Sequence, residues 1–269
     1  MVGRVMRRLV SCLLILLGLV AGLQGQEPSP PENPAIHAKA VSAQAQLALA
    51  KRMKQETRGK RGERRLRHLR QVVRAFEAVA MHWPESGAIL AEAHFRRAET
   101  LRSLEEPGAA RGAFEDALEA AGEGDDLGAR SLLEIGHLCR RAGQHVDAMR
   151  HYRRARDRPK VSLRLQNDGR EWLVRVLLEI RDWEAAALAA EDWGDHAEGT
   201  VERVRAADLR LLAWIGLGRL HEVWKELEVL RENLEIEASA PTSEGAAVRR
   251  ALESMKAGPA LRKARRNGR

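Results

Sequence analysis

Beyond residue 34, apolar residues recur at three- and four-residue spacing, in segments separated by short breaks rich in Gly, Pro and Asp. That spacing keeps one face of a helix apolar. It predicts helices over 35–57, 63–82, 88–104, 107–121, 127–142, 145–157, 168–181, 183–193, 200–217, 219–236 and 244–256. No segment alternates apolar and polar residues as a half-buried strand would. The expected class is all-α, built from antiparallel helical hairpins.

The pattern also repeats. Residues 93–118 align without a gap on 131–156, so that Ala98 falls on Gly136, Leu101 on Cys139, Ala110 on Ala148, Phe114 on Tyr152 and Ala117 on Ala155, an offset of 38. The same step carries Ala148 to Ala186 and runs back from Ala110 to Val72, and a step of 37 reaches Val223. A small residue, a bulky one four later and another apolar one three later form one helix face that a neighbouring helix can approach closely. A single hairpin cannot bury such a face, so successive copies must stack.

These residues resemble the tetratricopeptide repeat. Segment 129–162 carries the resemblance best, through Leu132, Ile135-Gly136, Cys139, the turn Ala142-Gly143, and then Ala148, Tyr152 and Ala155. Residues 91–124 repeat it with Ala98, Leu101, Ala110, Phe114 and Ala117, and 167–200 with Leu173, Leu177, the turn Arg181-Asp182-Trp183 and Ala186. The match weakens over 204–237, and Phe76 with Pro84 marks a half-unit within 35–84. Each unit is a few residues longer than is usual for the family. The resemblance implies a right-handed solenoid over 35–240 that binds a protein or peptide in a groove lined by the first helix of each unit. Carried over by register, that groove contains Phe95, Arg102, Arg130, Leu133, His137, Arg140, Arg141 and Arg175. Its basic patch suits an acidic peptide, because guanidinium groups hold carboxylates bidentately. The family's dicarboxylate clamp is not matched, since Glu99 and His137 stand where it has Asn.

Upstream of the repeats, Arg4, Arg7 and Arg8 precede an unbroken apolar run from Leu9 to Leu23, then Gln24-Gly25-Gln26 and a Pro-rich linker over 26–34. A positive start, a short apolar run and a small-residue exit predict a signal peptide over 1–25, hence an exported, periplasmic or secreted protein. If uncleaved, residues 9–23 would instead anchor the chain in a membrane. After cleavage Cys139 alone remains, which excludes an internal disulfide framework and a multi-cysteine metal site.

Composition sharpens the helical reading, with 42 Ala, 35 Leu and 38 Arg against 10 aromatics. The formal charge of +8 is unevenly spread: 51–74 holds a local +9 and 246–269 a local +7, whereas the body between them is acidic. The two ends therefore carry an alternative function, polyanion or nucleic-acid binding, although nucleic acid is disfavoured as the main partner and 241–269 reads as one helix and a solvated tail. No nucleophile elbow, zinc-helix motif or phosphate loop is present, so neither a catalytic site nor a cofactor is expected. Asp192, Asp195 and His196 are close in sequence but read as caps and turns. Among six tryptophans, Trp172 lies outside the core register and is expected to be the most exposed ring.

Overall fold

The computed structural model describes residues 38–267. The expected signal segment and the Pro-rich linker lie outside them. From Lys39 onward the chain packs as one compact unit. The described residues form twelve helices and no strand: α1 (Ala43–Gln55), α2 (Gly62–His82), α3 (Ala88–Ser103), α4 (Pro107–Ala120), α5 (Asp126–Arg141), α6 (His145–Arg156), α7 (Leu163–Glu179), α8 (Trp183–Asp195), α9 (Thr200–Gly216), α10 (Leu220–Ser239), α11 (Ser243–Glu253) and α12 (Ala257–Asn267).

Consecutive helices from α1 to α10 pack as antiparallel neighbours, and the odd-numbered helices also touch one another in the order α1, α3, α5, α7, α9. The even-numbered helices α2 to α10 do not touch one another. The result is a two-layered solenoid. An inner layer of first helices runs continuously through the stack, and the second helices are splayed behind it.

The 38-residue period reappears in the backbone. Glu105, Gly143, Arg181 and Gly218 follow the ends of α3, α5, α7 and α9 with φ of 62°, 74°, 62° and 76°. The next amide reaches back five residues each time: Glu106 to Leu101, Gln144 to Cys139, Asp182 to Leu177 and Arg219 to Trp214, at 2.9–3.1 Å. A left-handed residue followed by this long-range bond satisfies a helix's last carbonyls and turns the chain back. The carbonyls of Glu106, Gln144, Asp182 and Arg219 then accept from Ala110, Ala148, Ala186 and Val223, the recurring small position of the sequence. The same four-residue device ends one helix and begins its partner.

Ala98, Leu101, Ala110, Phe114, Ala117, Leu132, Gly136, Cys139, Ala148, Tyr152, Ala155 and Ala186 are all buried. Bulk is exchanged between the two layers. Gly136 faces the Tyr152 ring; one repeat earlier the same positions hold Ala98 and Phe114, and one repeat later Val174 and Ala190. The second-helix residue shrinks as the first-helix residue grows, which keeps the interior close-packed.

Two helix starts and the C-terminal segment differ most from the sequence expectation. α1 starts at Ala43, where the Ser42 hydroxyl accepts from Ala45 N, rather than at 35. α7 begins at Leu163, five residues before 168, because Ser162 N bonds Asp126 Oδ1 and fixes the preceding loop. The expected solvated tail instead forms α12, which packs on α9 and α10 and buries Ala257 and Leu261.

Candidate protein-interaction surface

The inner layer carries most of the charged side chains that the family register placed in a groove, and the fold pairs many of them. Lys51 Nζ meets Glu92 at 2.9 Å and Lys54 Nζ meets Glu99 at 2.7 Å, joining α1 to α3. Arg102 pairs with Glu134, joining α3 to α5, and Arg140 with Glu179 at 2.7 Å, joining α5 to α7. Arg175 pairs within α7, with Glu171 at 2.6 Å. Burial pushes the Glu99 carboxyl up, but Lys54 and Arg96 outweigh it and hold the carboxyl below its ordinary range. The ladder spans four first helices.

This arrangement corrects the expected basic patch. Arg102, Arg140 and Arg175 spend their charge on neighbouring glutamates, so they do not form a free cationic surface. Arg130 makes no ion pair among the described residues and lies over the Phe95 ring, 4.6 Å from its centroid. Arg141 is exposed and also makes no ion pair among the described residues. Phe95 and Leu133 are buried, not groove-lining. They occupy one register position 38 residues apart, and at that position the helix turns inward: Phe95 meets Phe114 edge-on at 5.2 Å. The family register is therefore rotated relative to this surface.

His137 sits where α5, α6 and α7 meet. Its Nδ1 lies 2.8 Å from the Tyr152 hydroxyl, and its ring stands edge-on to Trp172 at 4.5 Å. Burial, with Arg141, Arg140 and Arg102 nearby, lowers its pKa to about 4. The ring is neutral at pH 7 and shares a hydrogen bond with the Tyr152 hydroxyl, whose pKa burial raises. Trp172 lies between the guanidinium groups of Arg140 and Arg175, at 5.1 and 5.4 Å. It is half-buried, and the exposed ring is that of Trp224 instead.

Next to this cluster, a cavity of about 450 Å³ opens between the α3–α4 turn and the end of α5. Leu138, Pro107 and Ala142 supply apolar walls, with Arg102, Glu105 and Arg141 beside them. The pocket was not legible in sequence, because its two walls are more than thirty residues apart. It can take an apolar side chain while Arg141 meets a carboxylate.

Elsewhere the surface offers less. Cys139 is buried, and burial raises its thiol pKa. Asp192 accepts from Arg170 Nε at 3.3 Å, and its backbone carbonyl lies 2.7 Å from His196 Nδ1. No group of three or more His, Cys, Asp and Glu among the described residues is placed to hold a metal. No described helix is long and apolar enough to cross a membrane.

No family model and no curated protein matches the chain. Solved structures do. A crystal structure of MamA protein aligns at TM-score 0.55 and 16% identity, over 75% of this chain and 96% of that one. TPR-like repeats of a putative kinesin light chain from Podosopora anserina align at 0.49 and 13%, over 73% and 96%. The first likeness, together with the two-layered stack and its 38-residue turns, identifies the fold as a TPR-like solenoid.

Proposed function

We propose that this chain is a non-enzymatic scaffold, exported from the cytoplasm, that binds an acidic peptide or protein segment along its inner helical layer. The observation that carries this reading is the pocket at Leu138 beside Arg141, which makes no ion pair among the described residues on a surface where Arg102, Arg140 and Arg175 are matched by glutamates. An apolar side chain entering the pocket would leave water, while an adjacent carboxylate met Arg141 in a charge-assisted pair. Export rests on the arginines and apolar run of the first 23 residues.

The partner segment accordingly needs a medium-sized apolar residue next to Asp, Glu or a terminal carboxylate. The test is recovery of partners with the full chain from an exporting host, compared with Arg141→Glu. Loss of capture by a variant of unchanged thermal stability supports the pocket. Undiminished capture by that variant overturns it.

A further inference from the structure

Between Lys51 and Arg74 the chain has eleven basic residues and two acidic ones. Folding neutralises few of them. Lys51 and Lys54 pair with α3, but Arg58, Arg61, Arg64, Arg65, Arg67 and Arg70 are exposed and make no ion pair among the described residues. This is the reverse of the inner layer, where Arg96, Arg102, Arg140 and Arg175 are matched by glutamates.

The arginines also project. No residue of α2 before Leu69 is buried, and of its first two turns only Leu66 and His68 are half-buried, His68 Nε2 lying 2.7 Å from the Met53 carbonyl of α1, so the rest of those turns faces outward. Five of the six arginines lie on those turns or flank them, and the sixth, Arg58, lies in the α1–α2 turn. Arg58 also lines a cavity of about 340 Å³ with Lys51, Lys54, Gln55 and Arg96. Like charges held at this density repel one another, and an anionic surface relieves that repulsion.

We propose that this protruding end docks on the headgroups of anionic phospholipids, with the arginines of α2 on the phosphates. One observation disfavours single-stranded nucleic acid, and a second favours a bilayer. No exposed residue of α1, α2 or their turn is aromatic, so no platform for stacking bases is present. The apolar run Leu9–Leu23 ends 19 residues before Ala43; fully extended, that connection spans at most ~65 Å. Where the run is retained as the membrane anchor, the bilayer that holds it is within reach of the hairpin. The proposal does not depend on the pocket at Arg141, and its test leaves that residue unchanged.

The test is co-sedimentation of the full chain with vesicles of phosphatidylcholine alone, or of phosphatidylcholine with about one third phosphatidylglycerol, at low and high salt. Pairing of several arginines with phosphate predicts binding that needs phosphatidylglycerol and weakens with salt. It also predicts partitioning at least about tenfold weaker in the R61Q/R64Q/R65Q/R67Q variant. The smaller R64Q/R67Q variant should show an intermediate loss, and R262Q/R265Q/R266Q in α12 little change. Equal binding to both vesicles, or undiminished binding by the quadruple variant, would overturn the proposal. So would preference for double-stranded DNA over phosphatidylglycerol vesicles at the same salt.

Discussion

A Cβ built on Gly136 would lie 2.5 Å from Cε1 of Tyr152, closer than any methyl can sit to a ring carbon. α5 and α6 therefore approach across the one residue that has no side chain. Gly136→Ala gains helix propensity of about 1 kcal/mol but overpacks a filled core, at about 1–3 kcal/mol. The expected net loss is about 1 kcal/mol, read from urea unfolding. Adding Tyr152→Leu to Gly136→Ala should cost less than the two single changes summed, because the smaller partner removes the clash.

The repeated turns give a prediction of opposite sign. Glu105 and Arg181 hold the left-handed conformation that Gly143 and Gly218 hold without a side chain. A Cβ in that region costs about 1–2 kcal/mol, partly offset by the larger unfolded-state entropy of glycine. Glu105→Gly and Arg181→Gly should each stabilise the fold by about 0.5–1 kcal/mol, whereas Gly143→Ala destabilises it by a similar amount. Thermal unfolding of the three single variants reads all the signs.

Asp208 caps the final helix from a distance. Its Oδ1 accepts from Ala257 N at 2.8 Å and its Oδ2 from Lys256 N at 3.1 Å. Loss of a capping carboxylate costs about 1–2 kcal/mol. Asp208→Ala should therefore release α12 before the rest of the chain unfolds. Limited trypsin digestion would then cut at Arg262 to Arg266 sooner than in the parent, with the body of the solenoid still protected.

The neutral His137 makes stability depend on pH. An unfolded chain protonates this ring near its ordinary 6.5, whereas the folded chain resists until about 4. Between those values the unfolded state binds the extra proton, so this contribution is complete above pH 6.5 and is lost as pH falls towards 4. His137→Gln should flatten the midpoint-against-pH curve across that window. An unchanged slope would place the proton uptake elsewhere.

What sequence revealed and what it concealed divide by distance along the chain. The hairpins from α3 to α10 were legible because each turn is local, with its Gly, Asp or Pro signal next to the helix it ends. α12 was not, since it has few apolar residues and is capped by Asp208, 48 and 49 positions from the amides it accepts from. The repeat core could be read from Ala110, Ala148 and Ala186, but the surface could not be read from the same register. Phe95 and Leu133 turn inward by a rotation that spacing alone does not specify. The ion pairs that neutralise Arg102 and Arg140 depend on which glutamates the next unit brings alongside.

The measurement that tests the central claim most directly is site-specific photocrosslinking of the full chain in an exporting host. One probe replaces the exposed Ala142, which lines the pocket beside Arg141, and the other replaces the exposed Leu188 on α8 of the outer layer. An inner-layer scaffold predicts a discrete crosslinked partner from position 142 and none from position 188. A partner captured from 188 alone would contradict it.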